Sequence, residues 1–176
     1  TVIVGKGITF DTGGISLKPP AKMAAMKSDM SGAAAVYGTM RVLSEIDAPR
    51  WVVGVTPLAE NMPSSAAYRP SDIIRAYDGT TIEVLNTDAE GRVVLADALA
   101  YARKHYEPRC MVDLATLTGA CVVALGSLAA GLMGTDDELC KALIAAGEAT
   151  GERLWRLPAW REYDKIIDSE VANVRN

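Results

Sequence analysis

Thr80-Thr81-Ile82-Glu83-Val84-Leu85 runs directly into Asn86-Thr87-Asp88-Ala89-Glu90-Gly91-Arg92, and this join decides how the chain is read. The first six residues alternate polar and apolar side chains, the period of a half-buried strand. Beyond Arg92, the residues Val94, Leu95, Ala98, Leu99 and Ala102 recur at helical spacing. The polar run between them is therefore a strand-to-helix junction. Such a junction directs backbone N–H groups and a helix dipole at whatever binds there. Two carboxylates, a guanidinium and a glycine in seven residues are poor packing material, so the junction reads as a ligand site.

A second polar cluster lies near the start. Val2-Ile3-Val4 is a short apolar strand that breaks into Gly5-Lys6-Gly7-Ile8-Thr9-Phe10-Asp11-Thr12-Gly13-Gly14. Four glycines in ten residues mark unusual backbone angles or close approach to a ligand. Lys6, Asp11, Lys18 and Asp29 all fall in or just after this stretch. Gathering Asp11, Asp29, Asp88 and Glu90 in one place without cations would be costly through like-charge repulsion. Carboxylates supplied by separate loops suggest a metal site assembled in space. Each acid taken alone reads equally well as a cap or a surface charge, and Lys6 alone as a salt bridge to Asp11. Lys18 alone reads as a loop charge, Arg92 as a first-turn residue paired with an acid, and Met26 as core.

The remaining organisation is that of one α/β domain. With 176 residues, 49% of them hydrophobic, the chain can bury a sizeable core. Its formal charge of −4 and the absence of basic clusters argue against nucleic acid and anionic membrane as partners. Cys110, Cys121 and Cys140 are odd in number with apolar neighbours, which points to reduced thiols and a cytoplasmic setting. Residues 115–133 are apolar but interrupted by glycine, threonine and serine, so they read as sheet core and loops, not as a membrane span. The pattern predicts helices over residues 33–45, 92–104 and 136–150, and strands over residues 51–57, 110–115 and 121–125. His105 falls at the polar end of a helix and reads as solvated. Apolar strands alternating with helices predict a mixed, largely parallel sheet flanked by helices on both faces.

Val4 to Gly14, Glu60-Asn61-Met62-Pro63, Asn86 to Arg92 with Val93-Val94-Leu95-Ala96-Asp97-Ala98, and Asp113 to Ala120 together resemble the catalytic domain of the cytosolic leucyl aminopeptidase family. The resemblance covers essentially the whole chain, departing mildly at Ser64-Ser65, where a glycine pair is common. It implies a peptidase that removes N-terminal leucine or other apolar residues from peptides by attack of a hydroxide bridging two divalent ions. By the same resemblance, Lys6, Asp11, Asp29 and Glu90 hold one ion, and Asp11, Asp88 and Glu90 the other. Asp11 and Glu90 bridge, at an ion separation of roughly 3.5 to 4 Å. Lys6 would ligate as a neutral amine, its pKa depressed by burial and the dications. The ions would be Mn²⁺ or Zn²⁺, with Mg²⁺ also compatible.

Lys18 would polarise the scissile carbonyl, and Arg92 would hold a bicarbonate that relays a proton. Met26, Asn86, Thr116, Leu117 and Gly119 would line the substrate pocket. The resemblance further implies a homohexamer. It also implies an N-terminal regulatory domain and a C-terminal end of the catalytic domain outside residues 1–176, so that the sheet is incomplete at its C-terminal side. Two competing readings remain at this level. Phe10-Asp11-Thr12-Gly13 resembles the loop of an aspartic protease that works as a single-copy dimer through Asp11. Some members of the resembled family instead act as DNA-binding regulators.

Overall fold

The computed structural model describes residues 1–176 except for the side chain of Lys22. In chain order its elements are β1 (Val2–Gly5), β2 (Gly7–Asp11), α1 (Pro20–Met23), α2 (Ser31–Leu43), β3 (Val53–Val55), β4 (Leu58–Asn61), β5 (Ile73–Arg75), β6 (Thr81–Glu83), α3 (Glu90–Tyr106), β7 (Met111–Leu114), α4 (Gly119–Leu125), β8 (Ala130–Leu132), α5 (Asp137–Thr150), β9 (Leu154–Arg156) and β10 (Val174–Arg175). Short 3-10 turns cover Ala24–Ser28, Thr87–Ala89 and Arg161–Ile167. Two compact units result: Thr1–Leu117 with Asp168–Asn176, and Thr118–Ile167.

In the first unit β1 is the middle strand of a parallel sheet ordered β3-β1-β7. Val2 and Val4 point to one face, where they form a buried cluster with Leu95, Ala98 and Ala102 of α3. Burying each valine contributes about 1.5–3 kcal/mol relative to exposure. The alternate residues face α2. There the backbones touch: a Cβ on Gly5 would lie 2.4 Å from the Gly32 carbonyl oxygen, and one on Gly32 would lie 2.0 Å from that of Leu114. The sheet is thus covered by a helix on each face, as the alternation of strands and helices predicts.

At Lys6 the chain leaves this sheet. Lys6 N–H donates to Leu114 O at 2.9 Å, and Lys6 O accepts from Ala33 N–H at 2.8 Å. The strand then resumes as β2, paired in parallel with β4 through a register shift between Ile8 and Phe10. The break expected after Val4 is therefore a one-residue hinge between two strands, not the start of a loop. A third sheet places β6 between antiparallel β5 and parallel β10. Parallel pairing dominates, and the molecule is a mixed α/β fold. Lys6, Asp11, Asn61 and Thr116 all lie at or just beyond carboxyl ends of parallel strands, where α/β sheets generally place their ligands.

The second unit pairs β8 with β9 in parallel. Its α5 starts on Asp136, whose carboxylate accepts from Glu138 N–H and Leu139 N–H, both at 3.0 Å. One expectation fails here: residues 121–125 are not a strand but the body of α4. Thr118 caps that helix by accepting from Ala120 N–H at 3.2 Å, and Gly126 ends it at φ +69°. A five-residue apolar run fits a strand or a helix equally well by periodicity, and the capping threonine decides. No helix among the described residues is long and apolar enough to cross a membrane.

Candidate metal centre

Five of the residues singled out in the sequence converge. Lys6 arrives from the hinge between β1 and β2, Asp11 from the end of β2, and Asp29 from the residue that closes the 3-10 turn before α2. Asp88 and Glu90 come from the 3-10 turn and first residue of α3. Carboxylate oxygens of Asp11, Asp88 and Glu90 lie within 4.8 Å of one another. Lys6, Asp11, Asp29 and Glu90 are each no more than 5% exposed.

Two lysines are interleaved with these acids. Lys6 Nζ stands 2.7 Å from Asp29 Oδ2 and 2.8 Å from Glu90 Oε1. It also donates to Thr116 O at 3.2 Å. Gly91 makes room for it, since a Cβ there would lie 2.7 Å from Lys6 Nζ. Lys18 Nζ lies 2.8 Å from Asp11 Oδ2 and pairs with Asp88 Oδ1. The simple pairing of Lys6 with Asp11 is thus replaced. Asp11 takes Lys18, and Lys6 takes acids from two other elements.

Burial alone would lower the pKa of Lys6, but attraction to Asp29 and Glu90 outweighs it and holds the ammonium above the ordinary lysine value. Lys18 is raised in the same way, burial being outweighed by Asp11 and Asp88. With carboxylates as its charged neighbours, Lys6 is therefore not depressed; depression would require cations to displace its proton. Glu90 is raised chiefly by burial, against the pull of Lys6. The Tyr68 hydroxyl is pushed up to about 12 by burial and by the charges of Glu90, Asp11 and Asp88.

These residues fit a divalent cation. Four carboxylates face two ammonium groups, leaving an excess of negative charge. Buried Asp29 Oδ2 is engaged by the Lys6 ammonium at 2.7 Å, and Asp29 Oδ1 by the Thr116 hydroxyl. Oxygen-rich donor sets with a single nitrogen suit Mn²⁺, Mg²⁺ or Zn²⁺.

The other named positions divide. Thr116 Oγ1 donates to Asp29 Oδ1 at 2.6 Å, so this residue braces the acids directly. Asn86 caps the 3-10 turn by accepting from Asp88 N–H at 2.8 Å. Met26 is half-buried, and its carbonyl accepts from Asp29 N–H at 3.1 Å. Leu117 is 43% exposed beside Gly91. Gly119 opens α4, in the second unit. The Arg92 side chain is exposed and makes no hydrogen bond or ion pair among the described residues, contrary to the reading that pairs it with an acid. His105 lies far along α3, its Nε2 2.8 Å from the Tyr77 hydroxyl.

Three further residues belong to the site. Asn61 Nδ2 donates to Asp11 Oδ1 at 2.8 Å and reaches Glu90 Oε2 at 3.3 Å. Thr87, wholly buried, donates from Oγ1 to Gly13 O at 2.6 Å and accepts from Ser16 N–H at 2.8 Å. The Tyr68 hydroxyl donates to Thr87 O at 3.3 Å. A cavity of about 330 Å³ opens beside them, lined by Gly14, Asn61, Met62, Ser64 and Tyr68 among others. Asn61 falls in the run Glu60-Asn61-Met62-Pro63 that carries the family resemblance, but nothing in the sequence shows which groups it faces.

This arrangement has close relatives. The description "Cytosol aminopeptidase family, catalytic domain" matches residues 1–176. A probable cytosol aminopeptidase of Chlorobium limicola is 56% identical over 174 residues, which is 99% of this chain and 35% of the relative. The structure of a Caenorhabditis elegans leucine aminopeptidase superposes with a TM-score of 0.95 at 35% identity, over 99% of this chain and 36% of that one. The bottromycin maturation enzyme BotP in complex with Mn superposes with a TM-score of 0.93 at 46% identity, over 99% of this chain and 39% of that one. The aspartic protease reading of Asp11 finds no support in these likenesses or in the largely parallel α/β fold. From strand ends to carboxylate cluster, the chain belongs to the cytosol aminopeptidase family and matches it through the catalytic domain.

Proposed function

We propose that these residues form the metal-dependent active site of an aminopeptidase that removes N-terminal leucine and other apolar residues from peptides. The observation that carries this reading is the convergence of Asp11, Asp88 and Glu90 within 4.8 Å, with buried Lys6 and Asp29 beside them. Two divalent cations, Mn²⁺ or Zn²⁺ with Mg²⁺ as a third candidate, would lower the pKa of water and polarise the substrate carbonyl. The protein's part is to hold them: Lys6, Asp11, Asp29 and Glu90 on one side, Asp11, Asp88 and Glu90 on the other.

Lys18 then serves as an electrophile. It sits at the edge of the acids with its side chain 16% exposed, close enough to solvent to meet a peptide carbonyl. Arg92, exposed in the first turn of α3, is free to bind bicarbonate and thereby move a proton where no histidine stands. Met26, Asn86, Thr116 and Leu117 shape the pocket for the apolar side chain. In the complete protein we place this site in a cytoplasmic homohexamer acting on peptides, with neither nucleic acid nor membrane as partner.

The test uses the full-length enzyme. Chelation should abolish hydrolysis of a leucyl amide, and Mn²⁺ should restore it. Activity that survives complete removal of metal would overturn the reading.

A further inference from the structure

Asn61 closes β4 directly opposite Asp11 of β2 and is only 6% exposed. Its backbone is pinned, because its carbonyl accepts from Thr12 N–H at 2.9 Å and from the Thr12 hydroxyl at 2.7 Å. Its carboxamide nitrogen faces three acceptors: Asp11 Oδ1 at 2.8 Å, Thr87 O at 3.0 Å and Glu90 Oε2 at 3.3 Å. An amide nitrogen has two hydrogens, so the two shorter bonds dominate and Glu90 shares what is left.

The consequence falls on Asp11. Its Oδ1 receives two hydrogen bonds, from Asn61 and from Gly13 N–H at 2.9 Å. Its Oδ2 is turned instead to the cationic side, 2.8 Å from Lys18 Nζ. The two oxygens of one carboxylate are thereby assigned different work. A neutral donor is well suited here, since it orients the carboxylate without cancelling the charge that a cation requires, as an ammonium in the same place would.

Building on the metal-dependent reading above, we propose that Asn61 is a positioning residue that commits Asp11 to present Oδ2 as its cation-binding oxygen and steadies Glu90 beside it. It acts through these two carboxylates and touches no substrate.

The experiment compares full-length wild type, Asn61→Ala, Asn61→Ser and Thr9→Ala. Mn²⁺ stoichiometry and affinity would be measured by equilibrium dialysis, magnetic coupling between bound ions by electron paramagnetic resonance, and kcat and KM with a leucyl amide. Both Asn61 variants should bind Mn²⁺ about 10- to 100-fold more weakly. Their paired-ion signal should weaken, and kcat should fall with KM near its wild-type value. Asn61→Ser introduces only a smaller side chain, so it carries the test if Asn61→Ala fails to fold. Thr9→Ala removes another side-chain hydrogen bond between β2 and β4, Thr9 Oγ1 to Ala59 O at 3.2 Å, without touching either acid, and should keep wild-type affinity. Wild-type affinity and coupling in the Asn61 variants would overturn this proposal alone, and so would an equal loss in Thr9→Ala, which would trace the effect to the pairing of β2 with β4. A wild-type enzyme that binds no Mn²⁺, Zn²⁺ or Mg²⁺ would instead overturn the metal-dependent reading, and this proposal with it.

Discussion

At the scale of single residues, the acids divide by what each loss would leave behind. Glu90 faces Lys6 and lies within reach of Asp11 and Asp88, so it is shared between both halves of the cluster. Glu90→Ala in the full-length enzyme should therefore lose both metals, which elemental analysis would check. Lys18 stands outside that set. Lys18→Ala should keep both metals yet lower kcat about a hundredfold or more, the scale of losing one electrophilic donor. Steady-state kinetics on metal-loaded protein would show it, and an unchanged kcat would remove Lys18 from the chemistry. Asp88 and Glu90 were legible because a seven-residue run with five polar side chains at a strand-to-helix junction has no ready packing explanation, and Lys6, Asp11 and Asp29 through the glycine-rich start and the family resemblance. Asn61 was not, because its role exists only once β2 and β4 pair side by side, joining residues 50 apart in sequence. The partner of Lys6 was hidden for a similar reason. The hinge turns its side chain away from Asp11 and toward Asp29 and Glu90, each brought there by a different element.

At the scale of elements, the site rests on how closely α2 approaches the end of β1. Gly32 is the critical contact, since any Cβ there would sit 2.0 Å from the backbone oxygen of Leu114, which has no flexible side chain to yield. Gly32→Ala should cost about 1–3 kcal/mol through overpacking. It should also weaken metal binding, because Leu114 O and the neighbouring Ala33 N–H hold the Lys6 backbone. Chemical denaturation of the full-length variant, with dialysis against Mn²⁺, would measure both. Helices α2, α3 and α5 were readable from their apolar spacing, which runs over three or more turns. The seven residues of α4 were not, since the run is too short to show a period and its valines are exposed rather than core-facing.

At the scale of the molecule, large apolar side chains lie open. Val123 is 90% exposed, Trp51 87%, Leu128 82% and Tyr37 77%. Large apolar side chains left open to water favour self-association. The chain spans 35% of the length of the Chlorobium limicola relative. Residues 1–176 expressed alone should self-associate, which light scattering would detect, and should show little hydrolysis of a leucyl amide in Mn²⁺ and bicarbonate. A chain extended toward the relatives' length should recover activity. Full specific activity from a monodisperse short chain would show that the rest is dispensable for catalysis.

The seat of Lys6 has a temporal meaning as well. Its ammonium is held by Thr116, 110 residues further along, and its peptide N–H by Leu114 just before it. No earlier stretch can complete that seat, however well β1, β2 and α2 have formed. As the polypeptide leaves the ribosome, the carboxylates at positions 11, 29, 88 and 90 all emerge before the strand that finishes their surroundings. Maturation of the centre is therefore a late event in folding, gated by the arrival of β7 and slow in the way that contacts of long sequence separation are slow.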